Sequence, residues 1–209
     1  MGNWDDIYKE YQQGGEAWAT LSEGIDPRFI SFIAKESFSK KKALDIGCGT
    51  GKYLLFLEQQ GFQVTGIDAS PTATEMTKQV VSKEAIIYCE NMYTFDYPQD
   101  NYDLVLSIST LHHGYKEQVQ ATVQRIYKSL VQGGKVFITL PNIEASKSWK
   151  TFKDQTELAA GTYAPNTGPE TGLPHSFYTE QEVRDLFSAF QNIRLELDSI
   201  GRWFIIGSK

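Results

Sequence analysis

The stretch ALDIGCGTGKYLLFLEQQGFQVTGID, residues 43–68, decides the fold. It opens on an apolar run, breaks at Gly47, Gly49 and Gly51, runs through an amphipathic segment and ends on Asp68. Strand, glycine turn, helix, strand is how a nucleotide-binding βαβ unit begins. Glycines let a backbone approach a ligand closely. An acid ending the second strand can accept two hydrogen bonds from ribose hydroxyls. A dinucleotide fold has G-x-G-x-x-G, but Lys52 stands where its third glycine belongs. A P-loop fails as well, since no G-K-[ST] follows a four-residue spacer. The expected ligand is a nucleoside without a demanding phosphate.

Outward from this unit, strands and helices alternate. QVTGID (63–68) is the second strand, and Ser70-Pro71 starts a helix with Ser as cap and Pro at its first position. AIIYCE (85–90) and YDLVLSI (102–108) read as the third and fourth strands. Residues 116–130 read as a helix with Val119, Val123, Ile126 and Leu130 on one face, ended by Gly133-Gly134, and KVFITLP as the fifth strand. After a helix over 179–190, IRLELDSI and RWFIIGS are separated by almost nothing. So short a connection forces an antiparallel pair. The fold expected is α/β: a Rossmann-like, seven-stranded, mostly parallel sheet, its last strand antiparallel, with helices on both faces. Segments 3–13 and 27–38 read as helices, so residues 1–40 are expected to form a helical cover. The stretch 142–178 reads as a long non-strand segment, of the kind that is functional in compact domains. The whole, 1–209, is read as a single domain.

The chain has 209 residues, 41% apolar and 22% charged, enough for one real core and too apolar for disorder. Its net charge of −6 and the absence of any Lys/Arg run longer than KKK at 40–42 disfavour a nucleic-acid partner. No apolar run is long enough for a membrane span, and the polar N-terminus is unlike a signal peptide. A cytoplasmic protein, monomer or homodimer, is the simplest expectation. Cys48 and Cys89 are two cysteines without a disulfide framework. Cys48 reads as a small packing residue and Cys89 as core.

LDIGCGTG followed by Asp68, together with YCENM at 88–92 and SISTLHH at 107–113, resembles the class I S-adenosylmethionine-dependent methyltransferases. The likeness covers residues 43 to about 141 and, less fully, 175–209. It implies S-adenosylmethionine as cofactor, with S-adenosylhomocysteine as product and no metal. It implies that Gly47, Cys48, Gly49 and Gly51 form the backbone wall and that Asp45 holds the loop and meets the amino-acid end. Asp68 would bind the ribose and Ala69 pack on the adenine. Asn91 and Met92 would read the adenine, where many relatives carry Asp in place of Asn91. Ser107 and Ile108 would stand beside the sulfonium. In the family's strand order Cys48 and Cys89 lie two strand spacings apart, roughly 9–10 Å, too far for a disulfide.

Methyl transfer from a sulfonium is an in-line displacement, so the protein must mainly align the nucleophile. A base is needed only if the acceptor carries a proton. The chain's three histidines are His112, His113 and His175. The resemblance favours His113 as the group facing the acceptor and the candidate base; the bland account has one of the pair capping a helix and the other exposed. His112 and His175 are candidate substrate contacts. Thr179 and Glu182 form a capping box. Trp149, Phe152 and Tyr163 are candidates for an aromatic lid. Trp4, Tyr8 and Tyr11 fall at helical spacing, as a core stripe or, for Tyr8 and Tyr11, as cover for the bound ligands. The acceptor class expected is a small molecule. The glycine run and SISTLHH also resemble tRNA wobble-uridine carboxymethyl methyltransferases, and a non-catalytic S-adenosylmethionine-binding protein is a further alternative.

Overall fold

A computed structural model describes residues 3–15, 24–147 and 154–209. In chain order come α1 (Trp4–Gln12), α2 (Pro27–Lys35), β1 (Lys42–Ile46), α3 (Lys52–Gln59), β2 (Gln63–Asp68), α4 (Pro71–Val80), β3 (Ile86–Cys89), β4 (Tyr102–Ser107), α5 (Lys116–Ser129) and β5 (Leu130–Pro141). They are followed by α6 (Ile143–Ser146), β6 (Gln155–Ala159), β7 (Thr162–Pro165), β8 (His175–Ser176), α7 (Glu180–Leu186), β9 (Gln191–Leu197) and β10 (Arg202–Ser208).

The main sheet has seven strands in the order β3-β2-β1-β4-β5-β10-β9. The first five run parallel, and β10 is antiparallel to both β5 and β9. Local chemistry sets the helix starts. The Asp26 carboxylate accepts the Arg28 amide ahead of Pro27, the Ser70 hydroxyl accepts the Ala73 amide, and Thr179 and Glu182 cap each other's backbone.

An apolar cluster packs on each face of the sheet. One gathers Ile46, Val105, Val123 and Ile126 with Val183 and Phe187. The other gathers Leu54 and Leu106 with Phe29, Phe32 and Phe137. Phe29 is wholly buried, and full burial of such a side chain contributes roughly 1.5–3 kcal/mol. So α2 is part of the helical layer, whereas α1 touches α4 and lies over the strand ends. Among the described residues no helix is long and apolar enough to cross a membrane.

Four expectations need correction. The helix expected to reach residue 130 stops at Ser129, and Leu130 already pairs with Tyr102. Gly133 and Gly134 do not end the helix but turn the chain inside β5, with Gly133 at φ +77°. The stretch 142–178 is not strand-free: β6, β7 and β8 form a second, antiparallel sheet. β6 and β7 are joined by Ala160-Gly161, with Gly161 at φ +71°, a two-residue hairpin of the kind glycine permits. Trp149 and Phe152 lie outside the described residues. Cys89 is exposed and not core, because β3 is the edge strand and pairs only with β2. Both cysteines are free thiols, as their separation across the sheet requires.

Candidate active site

At the carboxyl ends of the parallel strands, where open α/β sheets bind ligands, lies a cavity of about 140 Å³. The residues expected to meet the cofactor converge on it: Asp45, Gly47, Cys48, Gly49, Asp68, Ala69, Asn91, Met92 and Ile108 all line it.

The glycine loop folds back over β2. The amides of Gly47 and Cys48 both donate to the Ile67 carbonyl, at 2.7 and 3.0 Å. The Gly49 amide donates to Asp68 Oδ2 at 2.9 Å and the Ser70 amide to Oδ1 at 2.9 Å. The Thr77 hydroxyl donates to the Gly49 carbonyl at 2.7 Å. A Cβ on Gly47 would overlap the Thr110 side chain, and one on Gly49 would stand 2.7 Å from the Tyr8 hydroxyl. Gly51 does not line the cavity; it caps α3 at φ +83° and packs against Thr77 and Val80.

Asp45 is buried, and its carboxyl is pushed up to about 8 by burial and then by the charge of Asp68. Asp68 is also raised by burial, against the hydrogen bonds from Ser70, Gly49 and Ala69 that hold its ionised form. The Cys48 thiol is raised by burial and then by Asp68 and Asp45, which keeps it protonated and inert.

α1 roofs the cavity. Trp4 and Tyr8 line it, Tyr11 does not, and Ile7 is the buried residue of this helix, so the core stripe is carried by Ile7 and not by the three aromatics. Asp5 moors α1 to the start of α4, accepting the Ser70 hydroxyl at 2.7 Å and the Thr72 amide at 2.8 Å. Burial raises the Asp5 carboxyl, but hydrogen bonds from Lys9, Ser70 and Thr72 prevail and hold it below the usual carboxylate range.

At the far strand ends, the Asn91 side-chain oxygen accepts the Tyr93 amide at 2.8 Å, so this residue also makes an Asx turn. Ser107 is buried and donates to the Ile46 carbonyl, tying β4 to β1 outside the cavity. Ser109 and Thr110 line the wall in its place, because the chain turns at Ser109 with φ +55°. His113 lines the cavity, its ring 4.3 Å from that of Trp4. His112 and His175 sit behind it. Neither member of the pair caps α5, whose N-cap is Tyr115. β8 docks on the loop after β4, with the Ser176 amide donating to the His112 carbonyl at 2.8 Å and the Ser176 hydroxyl to the Gly114 carbonyl at 2.6 Å. That docking brings His175 beside the pair. His112 and His113 are held well below the usual imidazole range, by burial first, then by the neighbouring histidines and, for His112, Arg202.

The family model of the methyltransferase domain matches residues 13–191. The chain belongs to this family. Its architecture is that of the class I S-adenosylmethionine-dependent methyltransferases. Human EEF1A lysine methyltransferase 2 is 33% identical over 93 residues, covering 40% of this chain and 39% of that protein. Ubiquinone biosynthesis O-methyltransferase of Idiomarina loihiensis is 30% identical over 131 residues, covering 60% and 53%. This chain thus spans less than two thirds of the length of either relative. The 1,6-didemethyltoxoflavin-N1-methyltransferase of Burkholderia thailandensis, solved with that substrate and S-adenosylhomocysteine bound, matches with a TM-score of 0.69 at 17% identity, covering 98% of this chain and 85% of that one. At that identity the likeness is one of fold.

The methyltransferase cavity also takes in residues that were given no ligand contact from the sequence: Lys52, Tyr53, Ile67, Glu90 and Tyr93. Glu90 directly precedes Asn91, and Lys52 and Tyr53 open the helix after the glycine loop, so adjacency to the motifs was the available signal. The three acids Asp45, Asp68 and Glu90 suit a ligand bearing cationic groups.

Proposed function

We propose that this methyltransferase moves the methyl group of S-adenosylmethionine to a small-molecule acceptor. One observation carries the reading: a single cavity runs from the Gly49–Asp68 clamp to His113, joining a nucleoside cradle to an acceptor end. The fit to the cofactor rests on the groups lining the same cavity, where Asp45, Asp68 and Glu90 offer carboxylates to ribose hydroxyls and to cationic groups.

When bound, the cofactor supplies an activated methyl and a neutral leaving thioether. The protein's residues then have three tasks. Asp68 and the glycine loop hold the nucleoside, the ionised carboxylate keeping acceptor capacity beyond the amides that already bond it. Asp45 meets the cationic amino-acid end, where a positive neighbour favours its ionised form. Trp4, Tyr8 and His113 shape the acceptor end and exclude water, with α1 as roof and β8 as back wall; alignment of this kind is worth several kcal/mol. The roof of Trp4 and Tyr8 over the acceptor end and the acidic charge balance favour a small molecule over a polymer, with the chain acting as one catalytic unit.

Calorimetry with S-adenosylmethionine, S-adenosylhomocysteine, NAD and ATP tests the cofactor, and a metabolite screen with methyl-labelled cofactor tests the acceptor. Binding of the first two and labelling of a small molecule is the expected result. NAD binding without S-adenosylhomocysteine binding would sink the reading.

A further inference from the structure

All three histidines of the chain meet in one place, behind the acceptor end. His112 and His113 leave the turn after β4, and His175 arrives from β8, more than sixty residues later. One ring nitrogen of each lies within 4.8 Å of the others. The ring centres are 4.1, 4.7 and 5.7 Å apart. Around a tetrahedral zinc-class ion with metal–nitrogen bonds of about 2.0–2.1 Å, three imidazole ring centres stand roughly 5 Å apart.

The hydrogen bonds of His175 orient its ring. Its Nδ1 lies 2.8 Å from the Leu173 carbonyl oxygen. A carbonyl only accepts, so Nδ1 carries the proton, and a neutral ring has its lone pair on Nε2. That nitrogen lies 3.1 Å from Oε2 of Glu170. Such a contact is closed either by a second ring proton shared with the carboxylate or by a cation held beside both groups. A ring N–H donated to a backbone carbonyl is also how metal-bound histidines are oriented. His112 adds a second sign: its Nδ1 is sealed from solvent and has no hydrogen-bond partner among the described residues. Such an atom in a native fold calls for an ion or a water.

We propose that His112, His113 and His175 bind a divalent transition metal of the zinc class, with Glu170 as the anion beside it. Three imidazoles leave a fourth position open, the arrangement of catalytic and not of structural zinc. This departs from the metal-free protein expected from the sequence. The role of the ion rests on the methyl-transfer reading: because His113 also lines the cavity, the open position would face the acceptor. An acceptor hydroxyl or thiol bound there gives its proton to solvent. Its lone pair then forms the bond to the methyl carbon as the carbon–sulfur bond breaks and the sulfur keeps that pair. His113 would then act as a ligand and not as a base.

The test is titration of the full chain, stripped with chelator and carrying Cys89→Ser to remove the exposed thiol, with ZnCl2 and CoCl2. One equivalent should bind, and cobalt should give the strong visible absorption of a four- or five-coordinate site. His112→Ala, His113→Ala and His175→Ala should each weaken zinc at least a hundredfold, and Glu170→Gln about tenfold, in line with neighbours that tune a metal site. If a buried-histidine variant fails to fold, His113→Ala, at the cavity wall, still decides the question. Absence of stoichiometric binding, or zinc affinity unchanged in the histidine variants, overturns the site and leaves the His175–Glu170 contact as a plain hydrogen bond. S-adenosylhomocysteine calorimetry on the same samples separates the two readings. Cofactor binding without zinc binding removes only the metal, and zinc binding without cofactor binding removes the methyl-transfer reading.

Discussion

The Gly49 amide donates to Asp68 Oδ2, and Ser70 donates to the other oxygen of the same carboxylate. One side chain thus shapes the glycine loop and starts the next helix before any ligand arrives. A residue that both builds and binds is expected to show two losses when it is removed.

Asp68→Ala should weaken S-adenosylhomocysteine by about 1.5–3 kcal/mol, the range for hydrogen bonds to a charged group, which is roughly ten- to 150-fold in Kd. It should also lower the melting temperature of the ligand-free protein. Calorimetry and thermal melts read the two losses separately. Unchanged affinity with a lowered melt would leave Asp68 as a turn residue alone.

Asp45 predicts a pH dependence. Its folded-state carboxyl stands near 8 against an ordinary value of 3.8. Between these limits the folded chain holds a proton that the unfolded chain has released. The contribution is therefore fully present below about pH 4 and is lost as pH rises through about 8. Asp68, raised by burial, acts in the same direction. Asp45→Asn should melt several degrees higher than the wild type at pH 9 and differ less at pH 5; about 1 kcal/mol corresponds to roughly 2–4 °C at this chain length. Parallel melting curves across that range would refute the assignment.

Gly66 lies in mid-strand, where a Cβ would meet Leu54 Cδ1 at 2.6 Å and Cys48 Sγ at 2.9 Å. Gly66→Ala should destabilise by about 1–3 kcal/mol, the range for overpacking, and should also disturb cofactor binding through Cys48. Denaturant unfolding measures the first effect and calorimetry the second.

The mooring of α1 should govern cofactor exchange. Asp5→Ala removes the acceptor for Ser70 and Thr72 while leaving the sheet untouched. Faster release of S-adenosylhomocysteine in stopped-flow fluorescence, with little change in denaturant midpoint, is the expected outcome. An unchanged release rate would mean that the roof moves independently of this anchor.

The parallel half of the fold was legible because the strand ends carry their own chemistry: glycines after β1, an acid ending β2, Ser-Pro opening α4. The convergence of these strand ends on one cavity was legible for the same reason. Ser107 was misplaced because a turn at Ser109, with positive φ on a non-glycine residue, re-aims the chain after β4, and no local motif announces it. The hairpin of β6 and β7 hides in a polar alternation, QTELA then TYAP, around Ala-Gly, where composition reads as loop. The meeting of His175 with His112 and His113 depends on β8 docking through Ser176, a long-range contact that spacing along the chain does not encode.

Cys89 pairs in register with Asp68 across the outermost ladder of the sheet, one strand spacing, roughly 4.8 Å, from the acid at the heart of the cradle. Of the chain's two thiols, the other, Cys48, is buried. A maleimide dye should therefore attach at a single address, on the outside of the fold and next to the residue on which the nucleoside would rest. The protein carries a ready-made position for an optical reporter of ligand occupancy, with no new cysteine to introduce and no old one to delete.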